Sequence, residues 1–270
     1  MNRLLAIFPI LLTLAACAGL LLHGPITQPL QYHEFADQSL LLGMPHAADV
    51  ISNIGFALVA LWGWVRLHPY SGHAAIVQGW PGYRLFLVGL MLTAAGSGFY
   101  HLAPDNWRLI WDRLPIALAC AGLLVAVRAE TKRAKNAEAE AVWFGLFAIA
   151  SVAWWVVTND LRPYLLLQFL PIVLIPLWQL AASSARRDRI AFGIALLLYI
   201  VAKAAELHDH QLLAALGVAS GHTLKHLLAT LAAGVLVGRL VRRVRESRMP
   251  ALRSAFFPKA KAGCQSVDLA

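Results

Sequence analysis

Ser97-Gly-Phe-Tyr-His-Leu-Ala-Pro-Asp-Asn-Trp-Arg-Leu-Ile-Trp-Asp112 joins two strongly apolar runs, 84–102 and 110–127, yet carries a serine, a histidine and two carboxylates. A membrane-crossing helix needs about 20 predominantly apolar residues, and each flanking run is of that order. Pro104-Asp105-Asn106 between them is turn chemistry, so Asp105 reads as a turn former and the whole stretch as the bend of a helical hairpin. Polar groups at the edge of a membrane span are costly unless something uses them. A second polar insertion, Ser220-Gly-His222-Thr-Leu-Lys225-His226, interrupts another apolar run far downstream. Two such insertions meeting in space would make a site.

Working outward, similar runs recur at approximately 4–22, 48–66, 141–158, 163–181, 190–206 and 211–238. The 270 residues are 59% apolar and 14% charged, and the mean hydropathy is +0.64. A soluble domain carries about 25% charged residues. The runs are continuous rather than alternating, which argues against strands. The expected fold is an all-α integral membrane protein: a seven-transmembrane-helix bundle with an additional N-terminal hydrophobic helix, eight spans with both termini cytoplasmic. Domain bounds follow as 1–24 for the N-terminal transmembrane helix or signal anchor, 48–240 for the core and 241–270 for a basic cytoplasmic tail.

A net charge of +9 suggests nucleic acid at first sight. Most of the 23 basic residues, however, sit in short loops on one side, among them Arg66, Arg84, Arg128, Arg186 and the group from Arg239 onward. That is an orientation signal, and no nucleic-acid partner is expected. The opposite loops hold Arg108, Arg113 and Arg162, which puts Ser97–Asp112 at the outer face, for a bacterial chain that of the inner membrane. Leu14-Ala-Ala-Cys17 resembles a lipoprotein cleavage site, but the apolar run continues to Leu22, which favours a retained helix. Cys17, Cys120 and Cys264 are too scattered for a disulfide framework or a thiolate metal site.

His222 and His226 are four apart and project from one helix face, the spacing by which paired helical histidines hold zinc. On that spacing alone, buried imidazoles bonding between helices are the commoner outcome. His101, from another span that ends at the same face, completes a three-histidine set with an open position, the usual catalytic zinc arrangement. Ser97 shares a face with His101, although alone it would bond its own helix carbonyl. Asp112 is placed to take a proton from a zinc-acidified water, or to pair with Arg113 or Arg108. Lys203 and Glu206 should pair on one helix face. Lys225 should point away from the histidines, towards Glu206 or Asp209, while His208-Asp209-His210 reads as a solvated loop. Trp107, Trp111, Trp154 and Trp155 read as interface anchors, and Pro115, Pro171 and Pro176 as helix kinks.

With Ser97 and His101, then Asp112, then His222 and His226, in this order and on these helices, the sequence resembles the alkaline ceramidase family. That family sits among seven-helix membrane hydrolases that include adiponectin-receptor-like proteins. The likeness runs roughly from Asp49 to Arg239 and includes Ser52-Asn53 opening the first family helix. The resemblance implies zinc bound by His101, His222 and His226, Asp112 as proton acceptor, and Ser97 helping to stabilise an oxyanion. It implies hydrolysis of the amide bond of a ceramide-like lipid taken from the bilayer. Family members of eukaryotes also hold calcium before this helix through an Asp-Trp-x-Glu-x-Asn run and a later Glu. Here only Asp37 remains, and His46 falls where the Glu is expected, which argues against calcium. Two further functions are open to the same residues: a receptor-like or sensor protein with structural zinc, and an ion-coupled transporter using Lys203, Glu206 and Lys225.

Overall fold

Helices in lipid associate by close packing rather than by the hydrophobic effect, so small residues mark their contacts. Gly82, Gly89 and Gly96 recur on one face of α4 (Trp80–Leu102), against α5 (Asn106–Lys132). A Cβ added at Gly89 would lie 2.7 Å from the Ala119 backbone N. The two helices of the hairpin therefore touch backbone to backbone, which fixes Ser97 and His101 against Asp112.

A computed structural model describes residues 3–256, apart from 133 and 135. The chain forms α1 (Arg3–His23), a minimal hairpin of β1 (Leu40–Leu41) with β2 (Met44–Pro45), and α2 (Ala47–Ser52) leading almost directly into α3 (Ile54–Leu67). After α4 and α5 come α6 (Ala137–Thr158), α7 (Arg162–Ala181), α8 (Arg186–Leu207), α9 (Asp209–Leu216) and α10 (Gly221–Phe256). Among the described residues, seven helices are long and apolar enough to cross a membrane, and α1 adds a shorter apolar stretch. This is the expected all-α bundle. Leu58, Val65, Val157 and Leu197 are among the large apolar side chains left exposed on its outside, as a lipid-facing surface requires.

Two boundaries differ from expectation. The run 211–238 is not one helix: Gly217 adopts a left-handed conformation (φ 73°) and ends α9, and α10 begins anew at Gly221. That break is a common glycine stop. It puts His222 and His226 in the first turns of α10, rather than a third to halfway along a longer span. At the other end α10 runs past residue 240, with Val244 buried and Arg243 paired to Glu130. Residues 241–244 thus continue the packing of α10 on the bundle, while the basic segment beyond 256, including Cys264, lies outside the described residues.

Segment 24–46 folds over the end of the bundle that carries the histidines. Asp160 anchors its start, accepting the Ile26 N–H (3.1 Å) and pairing with Arg162. The Arg162 guanidinium holds that carboxyl well below the usual carboxylate range. Arg162 also donates to the Leu20 carbonyl at 3.1 Å, tying α1 to α7.

Candidate metal centre

His101 is the penultimate residue of α4 and fully buried. Its Nε2 lies 3.1 Å from His222 Nε2, and one ligand atom from each of His101, His222 and His226 falls within 4.8 Å of the others. Tetrahedral coordination at 2.0–2.1 Å sets ligand nitrogens about 3.3 Å apart, so the spacing suits a single ion. His101 Nδ1 is buried without a hydrogen-bond partner.

The hydrogen bonds around His226 assign its tautomer. The Ser52 hydroxyl donates to the Asp49 carbonyl (2.9 Å) and so accepts the N–H of His226 Nδ1 at 2.8 Å, a much closer contact than Asn53 Nδ2 at 3.4 Å. The lone pair is thereby left on Nε2. Such an outer partner is what metal-binding histidines commonly have. His222 is set differently. Its backbone N–H donates to Asp209 Oδ1 at 2.7 Å, while Asp209 Oδ2 accepts the Ala36 N–H at 2.8 Å. One carboxylate thus caps the start of α10 and pins segment 24–46 across it. Phe35 on that segment lays its ring edge-on to His101 and His222, with centroids 4.6 and 4.5 Å away.

Ser97 sits one turn before His101 on α4, and Asp112 faces it from the second turn of α5. Both side chains are buried and, with Lys225 and His226, form the polar end of a cavity of about 190 Å³. Its walls are largely apolar, with Thr93, Gln168 and Lys203 among the exceptions. They descend along α4 to Phe86, along α5 to Leu123 and along α10 to Leu236. At 1.5 Å per residue each path is about 15 Å deep. Pro171 and Pro176 line the wall contributed by α7.

The structure brings together all five expected residues, Ser97, His101, Asp112, His222 and His226. It corrects three other expectations. Lys225 does not turn away from the histidines: Nζ lies 2.8 Å from His222 Nε2 as well as 2.8 Å from Glu206 Oε1, because its four-carbon stem curls back along the helix. Asp209 is no part of a solvated loop but the strut just described. Trp155 is buried rather than at the interface, with the Arg113 guanidinium stacked over its ring at 4.0 Å, whereas Trp154 remains exposed. Asp112 has no ion pair with Arg108, which bonds Asp105 instead. Lys203 and Glu206 pair as expected, at 2.9 Å.

Asp37 spends both carboxylate oxygens on backbone N–H groups, Oδ1 on Ser39 and Oδ2 on Asp49, each at 2.9 Å. Burial pushes its pKa up, but the bonds from Ser39 and the Asp49 N–H outweigh that and hold it below the usual carboxylate value. His46 turns its Nδ1 to the Asp37 carbonyl. These residues hold the hairpin closed over α2. Against family models, curated proteins and solved structures the chain finds no match, so the three buried imidazoles and their cavity are what the molecule itself offers as a guide to function.

Proposed function

We propose that the chain is a zinc-dependent membrane hydrolase that cleaves the amide bond of ceramide or a related N-acyl lipid into a fatty acid and a long-chain amine. One observation carries the reading: a cluster of three buried imidazoles presents His226, beside Asp112 and Ser97, to the polar end of a deep apolar cavity. The donor set is all nitrogen, and it leaves room for a fourth ligand, which favours a catalytic zinc over a closed structural one. The metal would supply Lewis-acid polarisation of the carbonyl and an acidified water.

The remaining chemistry belongs to side chains. Asp112 accepts the proton as water oxygen bonds to the acyl carbon, then returns it to the amine nitrogen as the C–N bond breaks. Such general acid–base transfer contributes typically 10² to 10⁴-fold. Ser97, which lines the same end of the cavity as Asp112, offers its one hydroxyl proton to the developing oxyanion. The apolar walls take the acyl chain. Buried ion pairs at the opposite end of the bundle favour a blind cavity over the continuous path a transporter would use.

The test is a hydrolysis screen of N-acyl lipids in detergent with the zinc-loaded full chain, reading released fatty acid, and with His226→Ala as control. Release that depends on His226 is expected. No release from any N-acyl lipid, or equal release by the variant, would overturn the reading.

A further inference from the structure

Lys225 and Lys203 both line the cavity, and a single carboxylate serves them both. Glu206 Oε1 accepts from Lys225 at 2.8 Å and Oε2 from Lys203 at 2.9 Å. Two ammonium groups share this one carboxylate beside the histidines, so each keeps hydrogen-bond donors to spare. Among the described residues, the other nearby acids form no ion pair with either lysine. Asp112, the proposed proton acceptor, has the cationic Arg113 beside it. Asp49 is turned behind α10, with Oδ1 taking the hydroxyls of Thr223 (2.5 Å) and Ser220 (3.2 Å). Asp209 spends its oxygens on the Ala36 and His222 N–H groups. Unspent ammonium donors at membrane depth are costly and are kept where something uses them.

The position of those donors narrows the use. Lys225 lies between the two histidines of α10, and its Nζ is 2.8 Å from His222 Nε2. An ammonium has three donors; one goes to Glu206, and the others face the histidines and the cavity. A group that meets them must therefore lie within a few bonds of the reacting carbonyl, on the side away from the acyl chain. We propose that the preferred substrates are N-acyl amino acids, whose carboxylate sits one carbon from the scissile amide nitrogen and is received by Lys225, with Lys203 behind it. The proposal rests on the hydrolase reading and narrows its substrate class. Glu206 then acts as a positioning residue that holds the Lys225 ammonium beside the site.

The test compares N-tetradecanoylglycine with N-tetradecanoylethanolamine, which share an acyl chain and differ in carboxylate against hydroxyl. The full chain, zinc-loaded in detergent, should favour the acid by about tenfold or more in kcat/KM, as expected of a desolvated charge pair. Lys225→Met should abolish that preference and Lys225→Arg should retain most of it. A wild-type ratio at or below one overturns the proposal without any variant, as does a ratio unchanged in Lys225→Met. Calorimetric binding of both lipids to the zinc-free wild-type chain separates the two readings. If neither lipid is hydrolysed but the acid binds more tightly through Lys225, the anion site stands and the hydrolase reading fails. If both are hydrolysed at equal rates, the hydrolase reading stands and the anion site fails.

Discussion

The two ends of the bundle bury charge in opposite ways. At the far end Arg243 is bonded to both oxygens of Glu130 and to the Ala75 carbonyl, and Arg239 joins Asp188 and Glu246. Each guanidinium there faces carboxylates, and the unpartnered buried atoms nearby, Tyr83 Oη and Glu140 Oε2, lie outside these pairs. At the histidine end, by contrast, Asp49 Oδ2, Asn53 Oδ1, His101 Nδ1 and Arg113 Nε and Nη1 are all buried without partners. Two lysines there share one carboxylate, and a cavity opens beside them. Native structures satisfy nearly all buried polar groups, and exceptions call for an explanation. The far end is a clamp, whereas the histidine end keeps unspent ligand and donor capacity, as a site does.

The sharpest way to break this contrast is to remove a ligand. His101→Ala should reduce bound zinc from one per chain to near none and lower amide hydrolysis by at least about 10³-fold, since a two-histidine site no longer meets the ligand count of catalytic zinc. Metal analysis and fatty-acid release from the same preparation check both. Next in size, Asp112→Asn should keep its zinc while losing about 10² to 10⁴-fold in kcat. A loss of metal in that variant would make Asp112 a ligand instead.

At the far end the expected effect is on stability alone. Arg243→Met leaves the half-buried Glu130 without its cation and should cost about 1 to 3 kcal/mol, seen as a lower unfolding midpoint in detergent, with zinc content unchanged. A variant that also lost zinc would show that the two ends are not independent. The smallest effect is at Ser52. Ser52→Ala removes the acceptor that fixes the His226 tautomer and should weaken zinc affinity by about tenfold, with little change in stability. Competition with a chelator of known affinity measures it.

Much of the centre was legible in the sequence because its logic is local. Two histidines four apart must share a helix face, and Ser97 with His101 likewise. The charge asymmetry of the loops then brought the two insertions to one side, which is the arrangement found. What escaped was set by distant partners or flexible side chains. Ser52 matters because it meets His226 across the bundle, and Asp209 because its oxygens take N–H groups of Ala36 and His222. Neither has a local pattern. Lys225 carries four rotatable carbons, so helix position alone could not give its direction. Trp154 and Trp155 are neighbours about 100° apart around a helix, and a composition argument cannot separate the exposed ring from the buried one. The break before α10 did leave a signal: Gly217, followed by polar Ser220, is a recognisable stop inside a run that hydropathy alone reads as continuous.

The central claim is that His101, His222 and His226 hold one catalytic zinc. X-ray absorption at the zinc edge of the purified full chain tests it most directly. The account predicts stoichiometric zinc with three imidazole nitrogens and one or two oxygens at about 2.0–2.1 Å. A sulfur-containing shell, or a stoichiometric signal that survives in the His222→Ala protein, would contradict it.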